Sequence, residues 1–317
     1  MPFQSAKLLK NPHLQTIFPL LLPQNRCDYI REDFYFSDGD FTEIVWSEEP
    51  GTKHYAHVTV LFHGLGGSIK SHYIQGMMYT LKQAGHLCVL MHFRGCGIRT
   101  NDAERSYHAG ETQDALDFIS YLQGRFSNAK LHAVGYSLGA NMLLKLLGRY
   151  KVLSPLHSAV AISTPLELEP CTLHLSKGFA KVYQMYLLKS LKSNLLLKSK
   201  KHDLKSQWGL STTVINKIKS IYEFDDLYTA PVHGFKNAHD YYTKNSAKQY
   251  LLDIHTPTLM VHALDDPFMP PSVLPTSDEL SKSITFELSE NGGHVGFIEG
   301  SLFKPNFWLE KRVLNFL

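Results

Sequence analysis

The stretch Leu131-His132-Ala133-Val134-Gly135-Tyr136-Ser137-Leu138-Gly139-Ala140-Asn141-Met142-Leu143-Leu144 decides how this chain is read. Its opening residues are short and largely apolar, as in a buried strand, and its closing residues are good helix formers. Between them lies Gly135-Tyr136-Ser137-Leu138-Gly139, a Gly-x-Ser-x-Gly pattern set where strand gives way to helix. The two glycines let the backbone turn sharply and leave room around Ser137. The turn pushes Ser137 Oγ out at the carboxyl edge of a sheet, at the amino end of a helix. The pentapeptide alone also fits an ordinary tight turn; its flanks favour a nucleophile.

Outward from this turn the chain alternates. Val58–Phe62, Leu87–Met91 and 157–162 are short buried-strand runs. A helix is expected over 72–84. Another is expected over 111–123, where Ala115, Leu116, Phe118, Ile119 and Leu122 share a face. Residues 29–37 and 41–47 read as a hairpin around Ser37-Asp38-Gly39-Asp40. The alternation stops at about 165 and resumes with Pro257–Val261, a helix near 272–281, a strand at 284–288 and a final helix at 303–316. This pattern predicts an α/β fold with a mostly parallel sheet covered on both faces. Residues 1–317 form one domain, with a helical cap insertion at about 165–250 over the carboxyl edge of the sheet. Residues 1–28 read as an irregular, proline-bearing arm packed on that domain.

The 317 residues are 44% hydrophobic and 19% charged, enough apolar material for a large core. A net charge of +3 is too small to argue for nucleic acid. The four cysteines form no Cys-x-x-Cys pair, so zinc and thioredoxin-like chemistry lack support. The amino terminus has no signal-peptide pattern, and no apolar run reaches the roughly 20 residues of a membrane span. The expected location is cytoplasmic.

A serine hydroxyl needs a base, usually a histidine held in one tautomer by a carboxylate. The strand 257–261 runs into His262-Ala263-Leu264-Asp265-Asp266-Pro267-Phe268-Met269-Pro270, and the strand 284–288 into Glu290-Asn291-Gly292-Gly293-His294. His294 therefore sits in a glycine-rich loop at the edge that carries Ser137. The order Ser137, Asp266, His294 is that of α/β-hydrolases. Asp266 is favoured as the acid because it lies four residues before Pro270; Asp265 remains the alternative. Two backbone N–H groups should hold the carbonyl oxygen of the transition state. Leu138 supplies one, and Leu65 in His63-Gly64-Leu65-Gly66-Gly67 the other. Gly64–Ser71 nearly spells a phosphate-binding loop, but Ile69 stands where that turn demands glycine.

Arg94, His108, Glu111 and Asp114 form a polar group whose salt-bridge and capping role outweighs a role in the site. Glu223-Phe224-Asp225-Asp226 and Asp240-Tyr241-Tyr242 read as structural. From Cys171 to His202 there is no Asp or Glu but seven lysines: Lys177, Lys181, Lys189, Lys192, Lys198, Lys200 and Lys201. Leu187, Leu188, Leu191 and Leu195 share one face of the same stretch. It reads as an amphipathic lid helix with a solvated lysine side, or as a surface that touches anionic membrane.

These residues resemble the YheT-like branch of the α/β-hydrolase superfamily. The resemblance rests on Asn11-Pro12-His13-Leu14-Gln15-Thr16, His63-Gly64-Leu65, Met91–Cys96, His108–Thr112, Gly135–Met142, Glu223–Asp226, His262–Phe268 and Gly292–Phe297. It implies an α/β-hydrolase fold, a Ser137–Asp–His294 triad and esterase-type activity without cofactor or metal. The expected partner is a small-molecule or lipid ester, with no nucleic acid. A phospholipase or acyltransferase is the alternative within this fold. A non-catalytic binding protein is the alternative outside the enzyme class.

Overall fold

The computed structural model describes residues 2–301 and 304–317. Eight strands make one sheet: β1 (Ile30–Tyr35), β2 (Phe41–Trp46), β3 (His57–Phe62), β4 (Leu87–Met91), β5 (Lys130–Tyr136), β6 (Ser158–Ile162), β7 (Thr258–Ala263) and β8 (Ile284–Ser289). Their order is β1-β2-β4-β3-β5-β6-β7-β8. β1 and β2 form an antiparallel hairpin, and β2 also meets β4 antiparallel. From β4 through β3 to β8 every pairing is parallel. Inner parallel strands such as β4 and β6 read as near-continuous apolar runs because helices cover both of their faces, whereas the edge strand β8 alternates.

Side chains alternate between two apolar layers. Val58, Val60 and Phe62 of β3 pack with α3 (Thr112–Arg125) and α4 (Leu138–Tyr150) through Phe118, Ile119, Leu143 and Leu147. Leu61, and Leu90 of β4, face the other way. They meet α2 (His72–Gln83) through Ile74, Met78 and Leu81, and the carboxyl-terminal helix Trp308–Leu314 through Leu309 and Val313. α2 and α3 thus each bury one stripe, as their spacing requires, whereas α4 is buried on nearly every side.

Between β6 and β7 the chain is helical. It runs through α5 (Leu168–Leu175), α6 (Ala180–Lys198) and a series of shorter turns ending in the helix Ala238–Asn245. Leu188, Leu191, Leu195, Leu204, Ile215 and Phe224 make an apolar cluster of their own here. Tyr241 OH accepts the Ala109 N–H at 2.9 Å and Tyr228 OH donates to Glu104 O at 2.7 Å, tying this layer to the sheet.

Three expectations are corrected. In place of a helix near 272–281 the chain makes two 3-10 turns, Pro271–Val273 and Ser277–Glu279. Pro275 forces Leu274 out of the helical region, to φ −65° and ψ 144°. The final helix begins only at Trp308, because Pro305–Phe307 pairs instead with Ile298–Gly300; residue 303, its expected start, lies outside the described residues. The arm 1–28 is not simply irregular. It contains α1 (Pro12–Ile17), started by Pro12 at its first position and by the Asn11 side chain, which accepts the N–H groups of His13 and Leu14.

Candidate active site

Ser137 caps α4 with φ 51° and ψ −118°, a conformation that side-chain-bearing residues rarely adopt. Neighbouring contacts hold it there. A Cβ on Gly139 would lie 2.5 Å from His63 O, and one on Gly135 2.7 Å from the Ala140 Cα and Gly139 O. Only glycine lets α4 close so tightly on β5 and β3, and Ser137 is the residue left projecting. Its own N–H is held by Ile162 O of β6 at 2.8 Å.

The carboxyl ends of β7 and β8 bring the other two groups to this point. His294 Nε2 lies 3.0 Å from Ser137 Oγ, and His294 Nδ1 lies 2.8 Å from Asp266 Oδ2. Asp266 is buried, and its second oxygen accepts the Phe268 N–H at 2.9 Å. The Phe268 ring stacks on the His294 imidazole at 3.9 Å and 6°. The adjacent Asp265 points elsewhere: Oδ1 accepts the Gly293 N–H at 2.9 Å and Oδ2 faces Asn291 Nδ2 at 3.4 Å. Asp265 thus holds the loop that carries His294, while Asp266 touches the imidazole. Burial lifts the Asp265 carboxyl above its usual range.

Leu65 lies in the turn beyond β3, beside the serine. A Cβ on Gly64 would stand 3.2 Å from Ser137 Cβ. The Gly64 carbonyl is fixed by His63 Nδ1–H at 2.7 Å and by the Gly67 N–H at 3.0 Å. In a trans peptide the N–H points opposite its carbonyl, so these bonds also set the direction of the Leu65 N–H. The flanking Gly64 and Gly66 N–H groups donate to the hydroxyls of Tyr73 (3.1 Å) and Tyr107 (2.9 Å). Leu138 is the first residue of α4, where helical N–H groups lack intrahelical partners.

His63, His92 and His262 are buried around this edge, and burial lowers them to about 4, about 3 and about 4. His63 and His92 are built as neutral rings: each Nε2 accepts a backbone N–H, from Phe93 at 3.1 Å and Ile69 at 3.0 Å. Unfolded, each would take up a proton near pH 6.5. The stability they contribute is therefore complete above that value and is lost as pH falls toward 4. Three such groups cost about 4 kcal/mol between pH 7.5 and 5.5. The midpoint of urea unfolding should fall accordingly; a midpoint unchanged over that range would contradict it.

Sequence reasoning missed the part played by the amino-terminal arm. Thr16 Oγ1 of α1 accepts the His294 N–H at 3.0 Å, and Gln15 bonds both the N–H and the carbonyl of Ile298, at 2.8 and 3.1 Å. The Asn-Pro start of α1 was the available signal, but nothing local indicates which loop the helix clamps. Phe268 was also missed as the cover of the imidazole.

A cavity of about 1320 Å³ opens over the serine. Ser137, His294 and Leu65 meet Leu175, Leu187 and Leu191 of the helical insertion in its wall. Leu188, Leu191 and Leu195 are buried, as the shared face predicts. Lys198 breaks the pattern. It is not on a solvated side but buried at 1% exposure, where Nζ donates to Asn101 Oδ1 (2.7 Å) and Ala103 O (2.6 Å). Those two acceptors make burial of the ammonium tolerable.

Arg94 orders the loop after β4. Its guanidinium forks onto Asp114 at 2.6 and 2.7 Å and reaches Asp40 at 2.7 Å. Nearby, His108, Glu111 and His233 have ligand atoms within 4.8 Å of one another. They do not fit a cation. Glu111 Oε2 already pairs with Arg105 at 3.0 Å, and His108 Nδ1 accepts the Gly110 N–H, leaving the proton on the nitrogen that faces Glu111. Asp225 accepts from Thr229 and Tyr242, both at 2.7 Å, and Asp226 accepts the Ala238 N–H at 2.8 Å, both structural roles.

Comparison with known proteins gives the same architecture. Residues 58–301 match the family model described as the alpha/beta hydrolase fold. YheT of Escherichia coli (strain K12) is 42% identical over 97% of this chain and 90% of its own. The phospholipase ABHD3 of Bos taurus is 26% identical, covering 94% of this chain and 74% of that protein. A Pyrococcus furiosus esterase structure superposes with a TM-score of 0.59 at 14% identity, covering 92% of this chain and 91% of that one, a likeness of fold. The chain belongs to the α/β-hydrolase superfamily, in its YheT-like branch.

Proposed function

We propose that the chain is a serine hydrolase that cleaves carboxylic esters through an acyl-enzyme intermediate. The hydrogen-bonded run from Ser137 Oγ through His294 to Asp266 carries this reading. Ser137 Oγ forms a bond to the ester carbonyl carbon as its proton passes to His294 Nε2. Asp266 keeps the remaining proton on Nδ1 and stabilises the imidazolium. The carbonyl oxygen, now an anion, is received by the N–H groups of Leu65 and Leu138. One such donor is worth about 10²–10³ in rate. Collapse breaks the bond to the alkoxy oxygen, which leaves with the His294 proton as an alcohol. Water then attacks the acyl group, gives its proton to His294, and the acid departs as Ser137 recovers its own.

The helical insertion at about 165–250 serves as a cap on a single catalytic domain. Its apolar wall suits an acyl chain. The relative named as a phospholipase supports a lipid ester among the substrates. Each buried CH₂ contributes about 0.8 kcal/mol. If about two or three of the six CH₂ groups added between acetate and octanoate reach that wall, kcat/KM in a p-nitrophenyl ester series should rise by about 10–100-fold. No hydrolysis of any member by the folded protein would overturn the assignment.

A further inference from the structure

Beside the cavity the fold leaves several apolar side chains in water. Leu20 and Leu21, just beyond α1, are 62% and 76% exposed; Val182, Met185 and Tyr186 of α6 are 47%, 60% and 78% exposed. Phe179, at the start of α6, is 54% exposed. Scattered exposed apolar residues are ordinary, but these sit on two elements that touch each other and share the cavity lining. Phe179, Val182 and Met185 recur at helical spacing along α6. α1 is bolted to the same helix: the His13 ring lies 4.3 Å from that of Phe179, and His13 Nδ1 is 2.9 Å from Tyr183 OH. Leu20 and Tyr186 both line the cavity that reaches Ser137. Three of the four leucines singled out by spacing, Leu188, Leu191 and Leu195, do not supply this surface, since they are buried in the apolar cluster of the helical layer.

The two segments that carry the collar hold only positive charge, although Asp28, the residue after the first of them, also lines the cavity. Residues 1–27 and 171–202 contain no Asp or Glu. Lys10, Arg26, Lys177, Lys181 and Lys189 are exposed on these two segments. None of the five is in an ion pair among the described residues. An apolar collar edged with unpaired cations matches the interface of an anionic bilayer, whose headgroups attract the lysines while its acyl boundary takes up the apolar side chains.

We infer that this collar, formed by α1 with the turn after it and the amino-terminal half of α6, docks on anionic lipid surfaces with the cavity mouth against the bilayer. Docking would let an ester pass from the membrane to Ser137 without crossing water. That last step rests on the hydrolase reading above; the docking itself does not.

The test uses sucrose-loaded vesicles of phosphatidylcholine alone or mixed with phosphatidylglycerol. Three proteins are compared: wild type, Ser137→Ala, and the triple variant Leu21→Glu, Val182→Glu, Met185→Glu. The three replaced side chains are exposed and do not line the cavity. Wild type should bind the mixed vesicles at least about tenfold more tightly than the neutral ones at low salt, and lose that preference at high salt. Ser137→Ala should bind as wild type does. The triple variant should lose about tenfold or more in binding while hydrolysing p-nitrophenyl butyrate at the wild-type rate. Equal binding of wild type to both vesicles, or a triple variant that binds like wild type, would overturn the inference. So would a wild type that ignores vesicles but sediments as a dimer the variant cannot form, which would assign the collar to a second copy of the chain. A protein that docks but hydrolyses no ester would leave the inference standing and remove the hydrolase reading instead.

Discussion

Replacing Ser137 by Ala should lower kcat for ester hydrolysis by about 10⁴–10⁶-fold, to the residual rate that binding and the oxyanion donors supply by themselves. The size follows from what is removed. Without Oγ no acyl-enzyme forms, and His294 has no proton to accept in the first step. KM should change little, because alanine keeps the cavity wall intact. The fold should also persist. Ser137 already holds a Cβ at φ 51°, so Ala adds no strain that the turn does not carry. Among the described residues, the only side-chain hydrogen bond lost is the one to His294 at 3.0 Å. Steady-state rates on a p-nitrophenyl ester beside thermal unfolding of both proteins test this. A stable variant within tenfold of wild type would remove Ser137 from the mechanism.

The second large effect separates two neighbours. Asp266→Asn should cost about 10⁴ in kcat, because an amide N–H₂ facing Nδ1 favours the wrong tautomer and cannot balance the imidazolium. Asp265→Asn should cost about tenfold or less. Its Oδ1 accepts the Gly293 N–H, and an asparagine oxygen can do the same, so the loop keeps most of its hold. Asp265→Ala should cost more than Asp265→Asn, since it leaves the Gly293 N–H unpaired. Parallel kinetics of the three variants decide the matter. Equal losses at the two aspartates would mean that loop order, rather than contact with the imidazole, sets the rate.

The contrast between these aspartates shows what one sequence can convey. Both residues follow the same strand, and only the spacing of Asp266 to Pro270 distinguished them. The structure gives the reason, since Asp266 faces His294 and Asp265 turns back to Gly293. The sheet was legible because buried parallel strands are apolar runs and Gly135 and Gly139 frame Ser137. Proline effects were harder to weigh. The stretch 272–281 has helix-like composition, yet Pro275 breaks it into two short turns. Long-range clamps were not legible at all. Thr16 and His294 are 278 residues apart, and nothing in either neighbourhood names the other. Lys198 is read as solvated among seven lysines, because only the folded chain brings Asn101 and Ala103 to its ammonium.

The central claim is that Ser137 is an activated nucleophile at the floor of the cavity. Intact-protein mass spectrometry after treatment with a fluorophosphonate tests it most directly. The account predicts one adduct per chain, carried by the peptide that contains Ser137 and missing from Ser137→Ala. A folded wild type that takes up no fluorophosphonate, or an adduct that persists in Ser137→Ala, would contradict it.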